Sequence, residues 1–145
     1  MKKILLILGV LLTMLNAEFK EIEFKDIEPK LGKDTVIIDI RTPGEWEQTG
    51  IIPGSHKIMF FDERGGYDVQ KWMSEFEKYV KDKNQPFVLV CRTASRTKMV
   101  GDFLSKQMGY KKVYDLKGGI IYGYLNMGYK TDKKDLKPNP VTGGW

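Results

Sequence analysis

The chain has 145 residues, 41% of them hydrophobic and 30% charged, with a formal charge of +5. That length admits one domain with a proper core and excludes two ordinary ones, and the composition excludes a disordered or membrane-embedded protein. A charge of this size with no basic tract beside aromatics argues against nucleic acid as a partner.

The N-terminus departs from the rest. Lys2 and Lys3 precede an apolar run from Ile4 to Leu12, and Thr13-Met14-Leu15-Asn16-Ala17 follows. A basic start, a short apolar segment and a small residue predict a bacterial-style export signal over residues 1–17, cut after Ala17, which would place the protein in the periplasm or outside the cell. A membrane span needs roughly 20 apolar residues, and Glu18 and Lys20 interrupt first. Left uncut, the segment would be an anchor, the one membrane contact the sequence suggests. Residues 18–129 then form the domain, and 130–145, polar with Pro138, Pro140, Gly143 and Gly144, an extended tail.

Alternation over Phe19 to Ile27 predicts an edge strand and a short helical turn, broken by Pro29 and Gly32. Thr35 to Ile40 is a nearly continuous apolar run, the pattern of a strand buried on both faces. Thr42 and Pro43 read as the N-cap and first position of a helix. Ile52-Pro53-Gly54-Ser55 is a turn before a short strand from Lys57 to Phe61. Val69, Trp72, Met73, Phe76, Tyr79 and Val80 share one face of a helix. Phe87 to Cys91 is a second buried strand. The helix after it would bury Met99, Val100, Phe103 and Leu104 and end at Gly109. Lys112 to Leu116 is a last strand, and Gly118-Gly119 opens a helix with Ile120, Ile121, Tyr124 and Leu125. Strands alternating with helices predict an α/β fold, a central, mainly parallel sheet with helices on both faces. Sites in such folds form beyond the carboxyl ends of the strands.

Cys91, the only cysteine, ends one of those strands. Arg92-Thr93-Ala94-Ser95-Arg96-Thr97 follows it into a helix, so loop amides gather round the helix N-terminus and would stabilise the thiolate form of a sulfur placed among them. Arg92, Arg96 and Lys98 add positive charge. A lone cysteine closing an apolar strand is otherwise a small buried hydrophobe, but packing requires no such neighbourhood. With one cysteine and one histidine, His56, there is no ordinary zinc ligand set. Neither glycine pair has the spacing and lysine of a nucleotide phosphate loop. Glu45 and Glu47 read as surface charges rather than an acid/base dyad.

The segment Cys91 to Thr97 resembles the active-site loop of rhodanese-like sulfurtransferases, in which a cysteine, four residues and an arginine make a six-residue cradle. Asp39-Ile40-Arg41-Thr42-Pro43-Gly44-Glu45-Trp46 with Gly50-Ile51-Ile52-Pro53-Gly54-Ser55 is similar to the family's upstream signature, and Leu116-Lys117-Gly118-Gly119-Ile120 to its C-terminal one. The resemblance implies the rhodanese-like fold, here as a single exported domain, and a thiosulfate sulfurtransferase activity. Cys91 would be the catalytic nucleophile, carrying sulfane sulfur as a persulfide from a donor such as thiosulfate to a thiol or cyanide, the thiol being free or on a partner protein. Arg92, Thr93, Ala94, Ser95, Arg96 and Thr97 would bind the substrate sulfur, with Arg96 bracing the loop and Arg92 guiding an anionic donor. Asp39 and Arg41 would be structural supports, and neither a cofactor nor a metal is implied.

Three positions depart from the family pattern. Ile51 stands where histidine is common, Gly123 where the aromatic is usually tryptophan, and Thr93-Ala94 where glycine is frequent. Phosphatases and arsenate reductases of related fold place five residues between cysteine and arginine; that arginine position is Thr97 here. One residue fewer shortens the loop contour by about 3.8 Å, which suits a single sulfur atom better than a tetrahedral oxyanion. The competing readings are a non-catalytic sulfur carrier or a thiol redox sensor and, further off, a phosphatase or arsenate reductase.

Overall fold

A computed structural model describes residues 18–133; the predicted export signal and the tail beyond Lys133 lie outside them. Among the described residues five strands form one sheet: β1 (Glu18–Ile22), β2 (Val36–Asp39), β3 (His56–Lys57), β4 (Phe87–Val90) and β5 (Lys112–Leu116). Their order is β1-β5-β4-β2-β3, and all four pairings are parallel. The helices are α1 (Phe24–Leu31), α2 (Pro43–Thr49), α3 (Val69–Phe76), α4 (Ser95–Asp102) and α5 (Gly119–Gly123). A π-helical turn, Phe103–Gln107, extends α4, and a 3₁₀ turn, Leu125–Met127, follows α5.

The apolar runs of the central strands are explained by two covered faces. Ile38, Ile40, Phe87, Leu89, Cys91 and Val113 point to one side, under Trp72, Met73 and Phe76 of α3 and Val100 and Leu104 of α4 and its π turn. Ile22, Val88, Val90 and Leu116 point to the other, with Ile27 of α1 and Ile120 of α5. Alternate residues of one strand therefore serve two cores, the signature of a parallel sheet clothed by helices. The sheet is wholly parallel, as the alternation of elements requires.

Several expectations change: the strand expected from Lys57 to Phe61 is only His56–Lys57, and the helix expected to carry Tyr79 and Val80 ends at Phe76, leaving those two in the turns that follow. Pro29 does not break α1, which runs on to Leu31 and ends at Gly32, where φ is +106°. The donor Pro29 lacks would face the carbonyl of exposed Lys25, on the solvent side, where water can satisfy it. Met99 is not on the buried face of α4 but 64% exposed. The stripe that α4 and its extension bury is Thr97, Val100, Gly101, Leu104 and Ser105, helically spaced but largely small or polar. Gly101 is needed there because the Phe19 ring occupies the space a Cβ would take.

The first residues of the predicted tail lie on the domain. Ile51 and Asp132 form an antiparallel bridge, the Thr131 hydroxyl donates to the Thr49 carbonyl at 2.6 Å, and the Tyr124 hydroxyl donates to the Lys130 carbonyl at 2.6 Å.

Candidate functional site

From β2 the chain turns through α2 towards β3 at one edge, and from β4 it turns through α4 towards β5 on the other side. The carboxyl ends of β2 and β4 thus border the crevice where the winding direction switches, the place where such sheets bind ligands. Cys91 is the first residue after β4 and is fully buried.

The loop above it is shaped by its own backbone and by two neighbours. Ala94 caps α4 in the left-handed conformation, φ +69° and ψ 12°, and is the only non-glycine residue described with positive φ. This turn costs an alanine about 1 kcal/mol relative to glycine, so the contacts around the loop must hold it. From β5 comes the glycine pair: the Ile120 amide donates to the Cys91 carbonyl at 2.9 Å and the Ile121 amide to the Arg92 carbonyl at 3.2 Å. A Cβ on Gly119 would collide with the Arg92 carbonyl, so the second glycine is what lets α5 seat against the loop. The amides of Arg92, Thr93 and Ala94 donate to no backbone carbonyl among the described residues, and the first-turn amides of a helix have no intrahelical acceptor. The loop therefore presents a run of donors available to an anion.

From β2 comes the second neighbour. Thr42 and Glu45 form a capping box at the start of α2, a motif worth about 1 kcal/mol. The same Glu45 carboxylate takes a two-pronged contact from Arg96, Nη1 to Oε2 at 2.8 Å and Nη2 to Oε1 at 2.6 Å. Burial pushes the Glu45 carboxyl up, but the Arg96 fork and the Thr42 donors outweigh it and hold it below the ordinary carboxylate range; Glu45 in turn raises Arg96. Glu45 is thus not the plain surface charge expected from its sequence but the anchor of Arg96 across the switch point. Its one legible sign was the Thr-x-x-Glu spacing. Glu47 is exposed.

Asp39 and Arg41, both 1% exposed, sit beneath α2. Arg41 donates to both Asp39 oxygens, with Nη2 to Oδ2 at 2.8 Å, and also to the Thr49 hydroxyl at 2.7 Å and the Gly50 carbonyl at 2.9 Å. Its guanidinium therefore ties β2 to the C-terminal end of α2, where a cation is favoured.

Of the loop residues, Arg92, Thr93 and Ser95 are exposed, Ala94 and Thr97 are buried, and Arg96 is intermediate. The Thr97 hydroxyl lies 3.5 Å from the Cys91 sulfur. His56 is away from this group, stacked on Tyr79 with ring centres 3.7 Å apart, and burial pushes it down. The two other departures have local causes. A Cβ on Gly123 would strike the Lys117 carbonyl, and the neighbouring Tyr124 packs edge-on to Phe24 at 4.7 Å. Ile51 is in the bridge to Asp132. Among the described residues no three His, Cys, Asp or Glu side chains gather as metal ligands. Asp115, which no motif in the sequence singles out, is buried near Thr97 with both carboxyl oxygens unpartnered among the described residues.

A parallel sheet with a cysteine under a strand-to-helix loop at the switch point, braced by an arginine–glutamate fork, defines a class of cysteine-loop α/β domains. The chain belongs to the rhodanese-like domain family, whose sequence profile matches residues 23–121. It is 31% identical over 103 residues to a sulfurtransferase of Allochromatium vinosum, covering 70% of this chain and 84% of that one. A rhodanese domain-containing protein of Drosophila melanogaster is 29% identical over 87 residues, 59% of this chain and 78% of its own. The solution structure of a polysulfide-sulfur transferase homodimer from Wolinella succinogenes aligns over 90% of both chains with a TM-score of 0.57 at 21% identity, a likeness of fold.

Proposed function

We propose that the chain is a sulfurtransferase that carries sulfane sulfur on Cys91. One observation carries the reading: Cys91 lies under a loop whose amides at Arg92, Thr93 and Ala94 donate to no backbone carbonyl among the described residues. The similarity to a sulfurtransferase supports it.

In the first half-reaction the Cys91 thiolate attacks the outer sulfur of thiosulfate. The S–S bond of the donor breaks, sulfite leaves with its electron pair, and Cys91 carries a persulfide whose terminal sulfur is anionic. Loop amides and the helix N-terminus stabilise that charge. In the second, a thiolate or cyanide attacks the terminal sulfur and takes it as a persulfide or thiocyanate, returning the Cys91 thiolate. Atoms and electrons balance without a cofactor or metal. Arg96, held by Glu45, keeps the loop in shape, and exposed Arg92 draws an anionic donor. The position where a wider phosphatase-type loop would carry its arginine is buried Thr97, which favours sulfur over a phosphate ester. Taken with residues 1–17 as an export signal, the chemistry would run in the periplasm or outside the cell, with a small thiol or a thiol on a partner protein as the acceptor.

Cys91→Ser is expected to abolish sulfur transfer from thiosulfate to cyanide while the circular dichroism of the folded domain is unchanged. Transfer retained by the variant would overturn the assignment.

A further inference from the structure

Three acids are buried among the described residues: Asp39 is paired with Arg41, Glu75 with Lys78, and Asp115 with no cation. The Asp115 side chain is fully buried and, among the described residues, both oxygens lack a hydrogen-bond partner. A buried carboxyl left this way costs stability, and residues held at such a cost are candidates for a functional role. On β5 it points to the same side as Val113. It pairs with Leu89 of β4, and the next residue along the chain on that side is Cys91, just past the end of β4.

Between the carboxyl and the sulfur stands Thr97. Its hydroxyl lies 3.5 Å from Cys91 Sγ, and either atom can be the donor. The same hydroxyl stands close enough to Asp115 to favour the charged form of the carboxyl, although no bond of ordinary length and angle joins them. That geometry describes a near approach rather than a formed bond. The other charged groups facing Asp115 are Glu21 on β1 and Lys98 on α4. Burial, with Glu21 adding to it, pushes the carboxyl up to about 6 against the pull of Thr97 and Lys98.

We propose that Asp115 is a positioning residue whose proton sets which way the Thr97 hydroxyl points at Cys91. The inference rests on the reading of Cys91 as the nucleophile. With Asp115 protonated, its O–H donates to Thr97 Oγ1, and the Thr97 hydrogen is directed at the sulfur, where it stabilises a thiolate. With Asp115 ionised, it accepts the Thr97 hydrogen, and the hydroxyl oxygen accepts from the thiol. No heavy-atom bond forms or breaks; the acid proton and the hydroxyl hydrogen turn together. The reactivity of the sulfur is thereby coupled to pH through a group that never meets the donor.

Because the sequence holds one cysteine, the ultraviolet absorbance of thiolate reports Cys91 alone, with no sulfur donor present. The wild-type titration is expected to depart from a single-site curve, with an added bend near pH 6. Asp115→Asn should lose that bend, Thr97→Val should lose it as well, and Thr97→Ser should keep it. A wild-type curve without the bend, or a bend that survives Asp115→Asn, would overturn the proposal. So would survival in Thr97→Val, since Asp115 would then act through space. If Asp115→Asn does not fold, the two Thr97 variants decide the matter, because a merely structural hydroxyl would not move the bend. The readout involves no turnover, so failure of Cys91 to load sulfur would overturn the proposed function and leave this titration standing.

Discussion

The strands on either side of β4 each bury an aspartate, and the fold treats the two in opposite ways. Asp39, at the end of β2, receives Arg41 through its backbone amide at 3.1 Å and its guanidinium at 2.8 Å, and that guanidinium spends its other donors on the end of α2. Asp115, on β5, has nothing within hydrogen-bonding geometry among the described residues. Both are desolvated equally well. With an arginine in place, Asp39 serves as a joint; with no such partner, burial holds the Asp115 carboxyl up at about 6, where it can respond to pH. The difference separates scaffold from responsive group within a single sheet edge, with Cys91 between them.

The comparison breaks first at Arg41. Arg41→Ala would leave Asp39 charged and unpaired in the interior, and loss of one partner of a buried pair costs about 3–5 kcal/mol. Urea unfolding should show the midpoint fall by that equivalent; a loss under about 1 kcal/mol, the scale of an exposed pair, would show that Asp39 is no joint. Asp115→Asn should move stability the other way. With the folded carboxyl at about 6 and the ordinary value at 3.8, the native state binds its proton more tightly than the unfolded chain. Stability is therefore highest below the ordinary value and falls as pH rises through 6. Asparagine removes that loss, so the variant should gain roughly 3 kcal/mol at neutral pH and little near pH 4. A pH-independent gain would show that packing, not the charge, was at issue.

Glu45→Ala tests the joint that spans the two sides. It removes the Glu45 half of the α2 capping box and the anchor of Arg96 together, for about 2 kcal/mol of stability and a loss of sulfur transfer of roughly tenfold as the loop loosens. Lost stability with transfer unchanged would separate the cap from the loop. The smallest effect is expected at Ala94. Ala94→Gly relieves the left-handed turn and should stabilise by about 0.5–1 kcal/mol, read as a raised melting temperature; a destabilised variant would mean that the turn is not strained.

Most of the frame was legible because apolar runs and glycine pairs carry local physics. Phe87 to Val90 and Lys112 to Leu116 read as strands because both faces are covered, and Gly118-Gly119 as a helix start because only glycine tolerates the approach to Arg92. Met99 was misplaced because the face that α4 buries is built from Thr97, Gly101 and Ser105 as much as from Val100 and Leu104, and a search for apolar spacing cannot see small residues packed under an aromatic. At the site, Cys91 and its loop are contiguous and could be read directly. Glu45 comes from α2 and Asp115 from β5. Glu45 is 51 residues from Arg96, and the depth at which Asp115 is buried, between Leu89 and Glu21, depends on the strand order, which no single segment encodes.

The central claim, that Cys91 carries sulfur, is met most directly by mass spectrometry of the intact protein after incubation with thiosulfate. The account predicts a mass increase of one sulfur atom, located on Cys91 and removed by cyanide. An unchanged mass, or oxygen adducts alone, would contradict it.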